Sequence, residues 1–307
     1  MSLVNRVIQR IKRDYFRRQY RQVAAQILGT NPVQCGDLPF MLLSMVHKRD
    51  VHSYLIAVKS FCHFLNPSRI VVVCDPSIDV ADRTLIVQHL PHVELRAAEE
   101  FTHPDMPRGG TWERLYAIAG FTRDTYVVQL DADTLTVQPI PEVLNAILAG
   151  TAFVLGEMPD TPSRTLVETR TNALPWIEPG AHIQGIAETE MVNVGLPANA
   201  RYIRGCSGFT GFPPSDSMQE TMADFSRRMM ANLGKDWARW GTEQVTSNYL
   251  ASNMRGAAAL PFPKYGTPDR SNADTAFYHF IGSMRFTNGK YMAKSRQALR
   301  LIAEVPA

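Results

Sequence analysis

The chain has 307 residues, 45% of them hydrophobic and 20% charged, which fits one large domain or two small ones and excludes disorder as its main state. Lys+Arg 32 against Asp+Glu 29 leaves a formal net charge of +3, too little to imply a nucleic-acid partner unless the basic residues cluster. No apolar stretch approaches the ~20 residues of a membrane span. The four cysteines (Cys35, Cys62, Cys74, Cys206) show no metal-binding spacing, so a reduced, cytoplasmic protein is expected.

Residues 3–28 read as a helix. Leu3, Val7, Ile11, Phe16, Tyr20, Val23 and Ile27 recur at three-to-five-residue steps, with Arg6, Arg10, Lys12, Arg13, Arg17, Arg18 and Arg21 between them, and Gly29 and Pro32 end the pattern. This is where the basic residues cluster. The helix reads either as a surface helix packed on the domain or as an interfacial helix drawn to anionic lipid, which would place the protein peripherally on the inner face of a membrane.

From Leu38 short apolar runs alternate with amphipathic helices, the signature of βαβ units and a single, mostly parallel sheet flanked by helices. Strands are expected at Phe40–Val46, Ile70–Cys74, Val93–Arg96, Tyr126–Leu130 and Ala152–Leu155. Helices are expected after Val51, around Asp79–Leu90 and at Thr111–Phe121. In such an open α/β sheet, ligands bind at the carboxyl ends of the strands. Residues 159–202, rich in Thr, Pro, Gly and Asn and including Trp176, read as a functional loop or an appended subdomain. Order resumes with Gly205–Phe212, helices near Gln219–Leu233 and Glu243–Ser252, and apolar runs at Leu260–Tyr265 and Ala276–Ile281. The expected division is 1–36 for the basic helix and connector, 37–291 for the catalytic domain and 292–307 for a tail.

Chemistry concentrates in three segments. In Tyr126–Leu135 an apolar strand drives into Asp131-Ala132-Asp133, and residues two apart on a strand share a face, so both carboxylates can meet one hard divalent cation. In Phe277–Arg285, His279 can complete the coordination of Mn²⁺, Gly282 lets the backbone approach a phosphate, and Arg285 can stabilise a leaving diphosphate. In Trp240–Tyr249, Glu243 and Gln244 either sit in a helix's first turn for the dipole's sake or face a reacting sugar and steady oxocarbenium charge.

Taken in order, these motifs resemble the nucleotide-sugar glycosyltransferases of family 8, which include glycogenin and bacterial lipopolysaccharide glycosyltransferases. Thr111–Tyr116 is similar to the family's helix before the metal motif, and the Arg114 position implies contact with the nucleotide sugar. Leu130–Leu135 resembles the metal motif itself. Gly205–Phe209 resembles the small-residue strand near the donor, with Cys206 where Asn is usual. Thr242-Glu243-Gln244 looks like the Asp-Gln segment with Glu for Asp, and His279–Arg285 resembles the His-x-x-Gly-x-x-Lys ending with Arg for Lys. The segment Val46–Asp50 departs from the family's base-binding pattern, so His47 or Asp50 is the candidate base contact.

The resemblance implies a glycosyltransferase A-type fold and a nucleotide-sugar donor, UDP-linked. It implies Mn²⁺ or Mg²⁺ on Asp131, Asp133 and His279, and donor contacts from Arg114, Gly282 and Arg285. Glu243, Gln244 and Arg285 become the catalytic candidates, transferring a hexose with retention to a glycan, glycolipid or other hydroxyl, with 159–202 and its Trp176 either the acceptor wall, Trp176 a stacking platform, or a surface insertion. Two further readings stay open: a non-catalytic binder of nucleotide sugars, and an inverting transferase with Glu243 as base. A dehalogenase-type phosphatase also uses D-x-D, but wants Thr or Val where Leu135 stands.

Overall fold

The computed structural model describes residues 3–156, 158–282 and 284–303. Its strands are β1 (Leu38–Val46), β2 (Pro67–Cys74), β3 (Val93–Ala97), β4 (Tyr126–Leu130), β5 (Thr134–Thr136), β6 (Phe153–Gly156), β7 (Arg164–Thr165), β8 (Arg201–Tyr202), β9 (Gly205–Phe212), β10 (Ala258–Ala259), β11 (Tyr265–Gly266) and β12 (Phe277–His279). Its helices are α1 (Leu3–Ala24), α2 (Val51–Cys62), α3 (Val80–His89), α4 (Trp112–Phe121), α5 (Pro141–Ala149), α6 (Leu166–Ala173), α7 (Ile183–Glu190), α8 (Met218–Leu233), α9 (Thr242–Ser252) and α10 (Lys290–Ala303).

Seven strands form the main sheet in the order β10-β6-β9-β4-β1-β2-β3. β4, β1, β2 and β3 run parallel, whereas β9 is antiparallel to both β4 and β6. Period-two alternation divides β1 between two cores: Phe40, Leu42 and Val46 face one, and Met41, Leu43 and Met45 the other. The first core packs under α2, α10 and the end of α1. The second packs under α4, α8 and α9. A small sheet, β11-β12-β5, lies beside the carboxyl end of β4.

Four expectations change. Asp131 and Asp133 lie in the turn between β4 and β5, not on an extended strand, so turn geometry rather than strand alternation brings them together. Residues 159–202 carry the small β7–β8 ladder and the helices α6 and α7 rather than an unbroken irregular stretch. The boundary at 291/292 falls inside α10, whose Tyr291, Ser295, Ala298, Leu299 and Ile302 are buried at helical spacing. Residues 304–307 lie outside the described residues. Finally, α1 ends at Ala24 and continues as a tight turn, Ala25–Gly29.

Candidate functional site

The turn after β4 is closed by the Thr134 hydroxyl, which donates to the Asp131 carbonyl at 2.8 Å. β5 then pairs antiparallel with β12 with Thr134 opposite His279, and the Phe280 amide donates to the Asp133 carbonyl at 2.9 Å. This register brings a residue 146 positions downstream of Asp133 against it. Gly208 on β9 is what leaves room for the ring. A Cβ there would lie 2.2 Å from His279 Cε1, so any larger residue would displace the imidazole.

One ligating atom each from Asp131, Asp133 and His279 lie within 4.8 Å of one another. His279 Nε2 is 3.2 Å from Asp133 Oδ1 and 3.8 Å from Asp131 Oδ2. Asp133 Oδ1 is nonetheless buried without a hydrogen bond of acceptable geometry, an orphaned acceptor facing a ring nitrogen. Two hard oxygens and one imidazole with an unsatisfied lone pair fit a divalent cation such as Mn²⁺ or Mg²⁺. Burial opposes ionisation of Asp133, but His279 and Arg285 outweigh it and hold the carboxyl down at about 2. Burial raises Asp131, against the attraction of Arg114. For His279, burial works to lower the pKa, and the neighbouring Cys206 and Asp133 carry it well above the usual value.

Two arginines frame this group. Arg285 donates from Nε to Asp133 Oδ2 at 2.8 Å and from Nη1 to Asp50 Oδ1 at 2.9 Å. Buried Arg114 donates from Nη1 to Asp131 and from Nη2 to Glu243 Oε1 at 3.0 Å. The Ser207 hydroxyl occupies the other Glu243 oxygen at 3.1 Å, and burial raises the pKa of this carboxyl. Glu243 therefore points at Arg114 and Ser207, with both its oxygens engaged. Its helix, α9, starts beside α4, where Trp112 Nε1 donates to Thr242 Oγ1 at 3.3 Å. Thr111, at the start of α4, holds φ 74°, a left-handed conformation costly for a β-branched residue and found where a site demands it.

Gln244 accepts from the Ser207 amide at 3.3 Å and donates to Gln184 Oε1 at 2.8 Å. Gln184 in turn donates to Glu188 Oε1 at 3.2 Å, and Glu188 pairs with Arg204. This polar chain runs from the site into a cavity of about 490 Å³ lined by Arg164, Asn172, Trp176, His182, Glu188 and Arg204. Trp176 is 77% exposed, and Trp240 meets His182 edge-on at 5.7 Å between ring centroids.

The structure thus gathers Asp131, Asp133, His279, Arg114, Arg285 and Glu243 into one cluster, with Gln244 at its edge. Gly282 is exposed, and a Cβ there would meet open space. Neither candidate base contact is free: His47 pairs with Asp75 at 3.0 Å and Asp50 holds Arg285. Asp50, Ser207, Gln184 and Glu188 are members the sequence reading did not place in these roles. Only β9's run of small residues hinted at Ser207.

No family profile matches the chain, and neither does any curated protein. Solved structures do. The bifunctional glycosyltransferase WbbM in its apo form is 15% identical with a TM-score of 0.51, over 89% of this chain and 51% of that one, so the chain spans about half the length of that protein. The galactosyltransferase LgtC, in complex with donor and acceptor sugar analogues, is 13% identical with a TM-score of 0.45, over 87% of this chain and 97% of that one. Core-mannan synthase A from Aspergillus fumigatus, in an Mn/GDP form, is 10% identical with a TM-score of 0.42, over 90% and 88%. The mixed, mostly parallel sheet flanked by helices, with its acidic turn after β4, is a glycosyltransferase A-type fold.

Proposed function

We propose that the protein transfers a hexosyl group from a nucleotide sugar, UDP-linked, to a hydroxyl of a glycan or glycolipid, with a divalent cation and with retention of configuration. The observation that carries this reading is the convergence of Asp131, Asp133 and His279, with an orphaned carboxylate oxygen, at the carboxyl end of β4 in this fold. The family 8 resemblance of the same residues supports it.

Asp131, Asp133 and His279 would hold the cation. When bound, Mn²⁺ or Mg²⁺ neutralises the donor's diphosphate and so makes it a better leaving group. Arg285 stands next to that position with a cation of its own, and Arg114 keeps Asp131 oriented from behind. In the transfer, the acceptor oxygen forms a bond to the anomeric carbon as the bond from that carbon to the diphosphate oxygen breaks. The electron pair leaves with the diphosphate, and the acceptor's proton goes to a departing phosphate oxygen on the same face. This route needs no free carboxylate opposite the leaving group, which suits a Glu243 tied to Arg114 and Ser207. Gln244, held by the Ser207 amide and Gln184, would offer its remaining hydrogen-bonding capacity to sugar hydroxyls, and the cavity that holds Trp176 would take the acceptor.

The test is binding and turnover of a panel of nucleotide sugars, with Mn²⁺ and with chelator, by the wild type and Asp133→Asn. Metal-dependent consumption of one donor, lost in the variant, with the product anomer matching the donor's, is expected. Donor binding indifferent to both chelator and substitution would overturn the site, and binding without turnover in the presence of glycan acceptors would leave a sugar-nucleotide binder.

A further inference from the structure

The first half of α1 plays no part in the site, and its two apolar faces are at odds. Tyr20 and Val23, with Ile27 in the turn that follows, are buried against the body, and Tyr20 is stacked on Tyr291 at 4.2 Å between centroids. Val7, Ile8, Ile11 and Tyr15 recur at helical spacing but are exposed, Ile11 at 64%. Ile11 and Tyr20 are nine residues apart, about two and a half turns, so they face opposite directions. The exposed stripe therefore faces away from the side of the helix that packs on the body.

Charge is arranged around this stripe. Turning about 100° per residue, Lys12 and Arg10 lie on the two sides of the stripe and Arg18 continues its line, while Arg6, Arg13 and Arg17 lie toward its back. α1 carries seven cations and one anion, Asp14, hence a formal +6 in a chain whose total is +3, so the rest of the protein is net acidic. Asp14 is itself answered by Arg17 at 3.3 Å. On α10, exposed Arg296 and Arg300 line a hollow with Gln26 and Gly29, just past the end of α1. An apolar stripe flanked by long basic side chains is the arrangement that sinks shallowly into a bilayer interface while the cations reach the headgroups.

We infer that residues 5–18 of α1 are an anchor that lays the protein on an anionic lipid surface, stripe inward and catalytic body facing the water. The charge excess selects the occupant, since it favours a negatively charged surface over a second copy bearing the same +6. Moving the stripe from water into the interface would also hold residues 5–15 of the helix, each of which is exposed. The arrangement is independent of the donor and the cation.

The full chain would be sedimented with phosphatidylcholine vesicles, with and without about a third phosphatidylglycerol. The expected result is binding to the anionic vesicles only, weakened by salt and weakened at least about tenfold in Ile8→Gln/Ile11→Gln, which leaves every charge in place. An Ile11→Trp variant should show blue-shifted emission on those vesicles, as a ring entering the interface does. No binding to anionic vesicles, or binding that the double variant does not weaken, would overturn the inference. So would a wild-type dimer in light scattering that the double variant turns into a monomer, because a second copy would then be what covers the stripe.

Discussion

The sulfur of Cys206 lies 3.2 Å from Nδ1 of His279, on the side of the ring opposite the aspartates. For Nε2 to offer its lone pair to a cation, the ring proton must sit on Nδ1, and the Cys206 sulfur is the acceptor that holds it there. Cys206→Ala is expected to weaken Mn²⁺ binding about tenfold or more, the usual consequence of losing such an outer contact. Cys206→Asn, whose amide oxygen can take the same proton, should recover much of it. Titration of Mn²⁺ by electron paramagnetic resonance reads this without any turnover, and equal affinity in wild type and Cys206→Ala would reduce Cys206 to packing.

The sheet was legible because each of its central strands is an apolar run too short for a helix and bounded by turn residues, as in Ile70–Cys74 before Asp75-Pro76. The acidic turn was legible for the same reason, since Tyr126–Leu130 ends on Asp131. Contacts across long separations were not. Arg285 and Asp50 are 235 residues apart, and nothing local to either announces the pair. Gly208 shows the intermediate case: a small residue could be read from the chain, but its reason, the imidazole of His279, exists only once β12 and β9 are folded. On α1 the apolar residues recur at three-to-five-residue steps, and Phe16 is where that pattern crosses from the exposed side to the buried one.

Glu243 separates two mechanisms. A positioning role for Arg114 predicts that Glu243→Gln lowers kcat/KM about tenfold or less, leaves the anomer of the product unchanged and keeps the shape of the pH profile. As a general base it would be worth about 10²–10⁴, and its loss would remove the limb of the profile that reports its ionisation. Product stereochemistry by NMR, together with a pH series on both proteins, decides between them.

Lys59 makes stability depend on pH in the alkaline range. Its ammonium is nearly inaccessible and donates to Thr30 Oγ1 at 2.9 Å and the Asn31 carbonyl at 2.6 Å, with His89 Nδ1 at 2.9 Å. No carboxylate pairs with it among the described residues. Burial lowers its pKa from 10.5 to about 8, so between these values the unfolded chain binds more protons than the folded one. Lys59 by itself then contributes stability that rises with pH across that window, while the buried thiols of Cys62 and Cys74, pushed up by burial, contribute the opposite trend above pH 9.0. Between pH 7.5 and 9.5 the urea midpoint of the wild type should gain on that of Lys59→Met, and an equal change in both would assign the effect to other groups.

Trp176 tests the acceptor side independently of the donor side. Its indole is 77% exposed on the wall of the 490 Å³ cavity, a large apolar face in water that a sugar ring can cover. The polar chain from Gln244 through Gln184 to Glu188 links that cavity to the cluster at Asp131, so a sugar stacked there would point its hydroxyl along hydrogen-bonding groups toward the donor. Removing the indole should cost the acceptor about 1 kcal/mol of stacking, a rise in acceptor KM of about fivefold to tenfold. Donor hydrolysis by water does not use the platform. Trp176→Ala should therefore hydrolyse the nucleotide sugar at the wild-type rate while transfer to a glycan falls at subsaturating acceptor. If hydrolysis and transfer fall together, the substitution has disturbed the donor site, and if neither changes, the acceptor enters by another face.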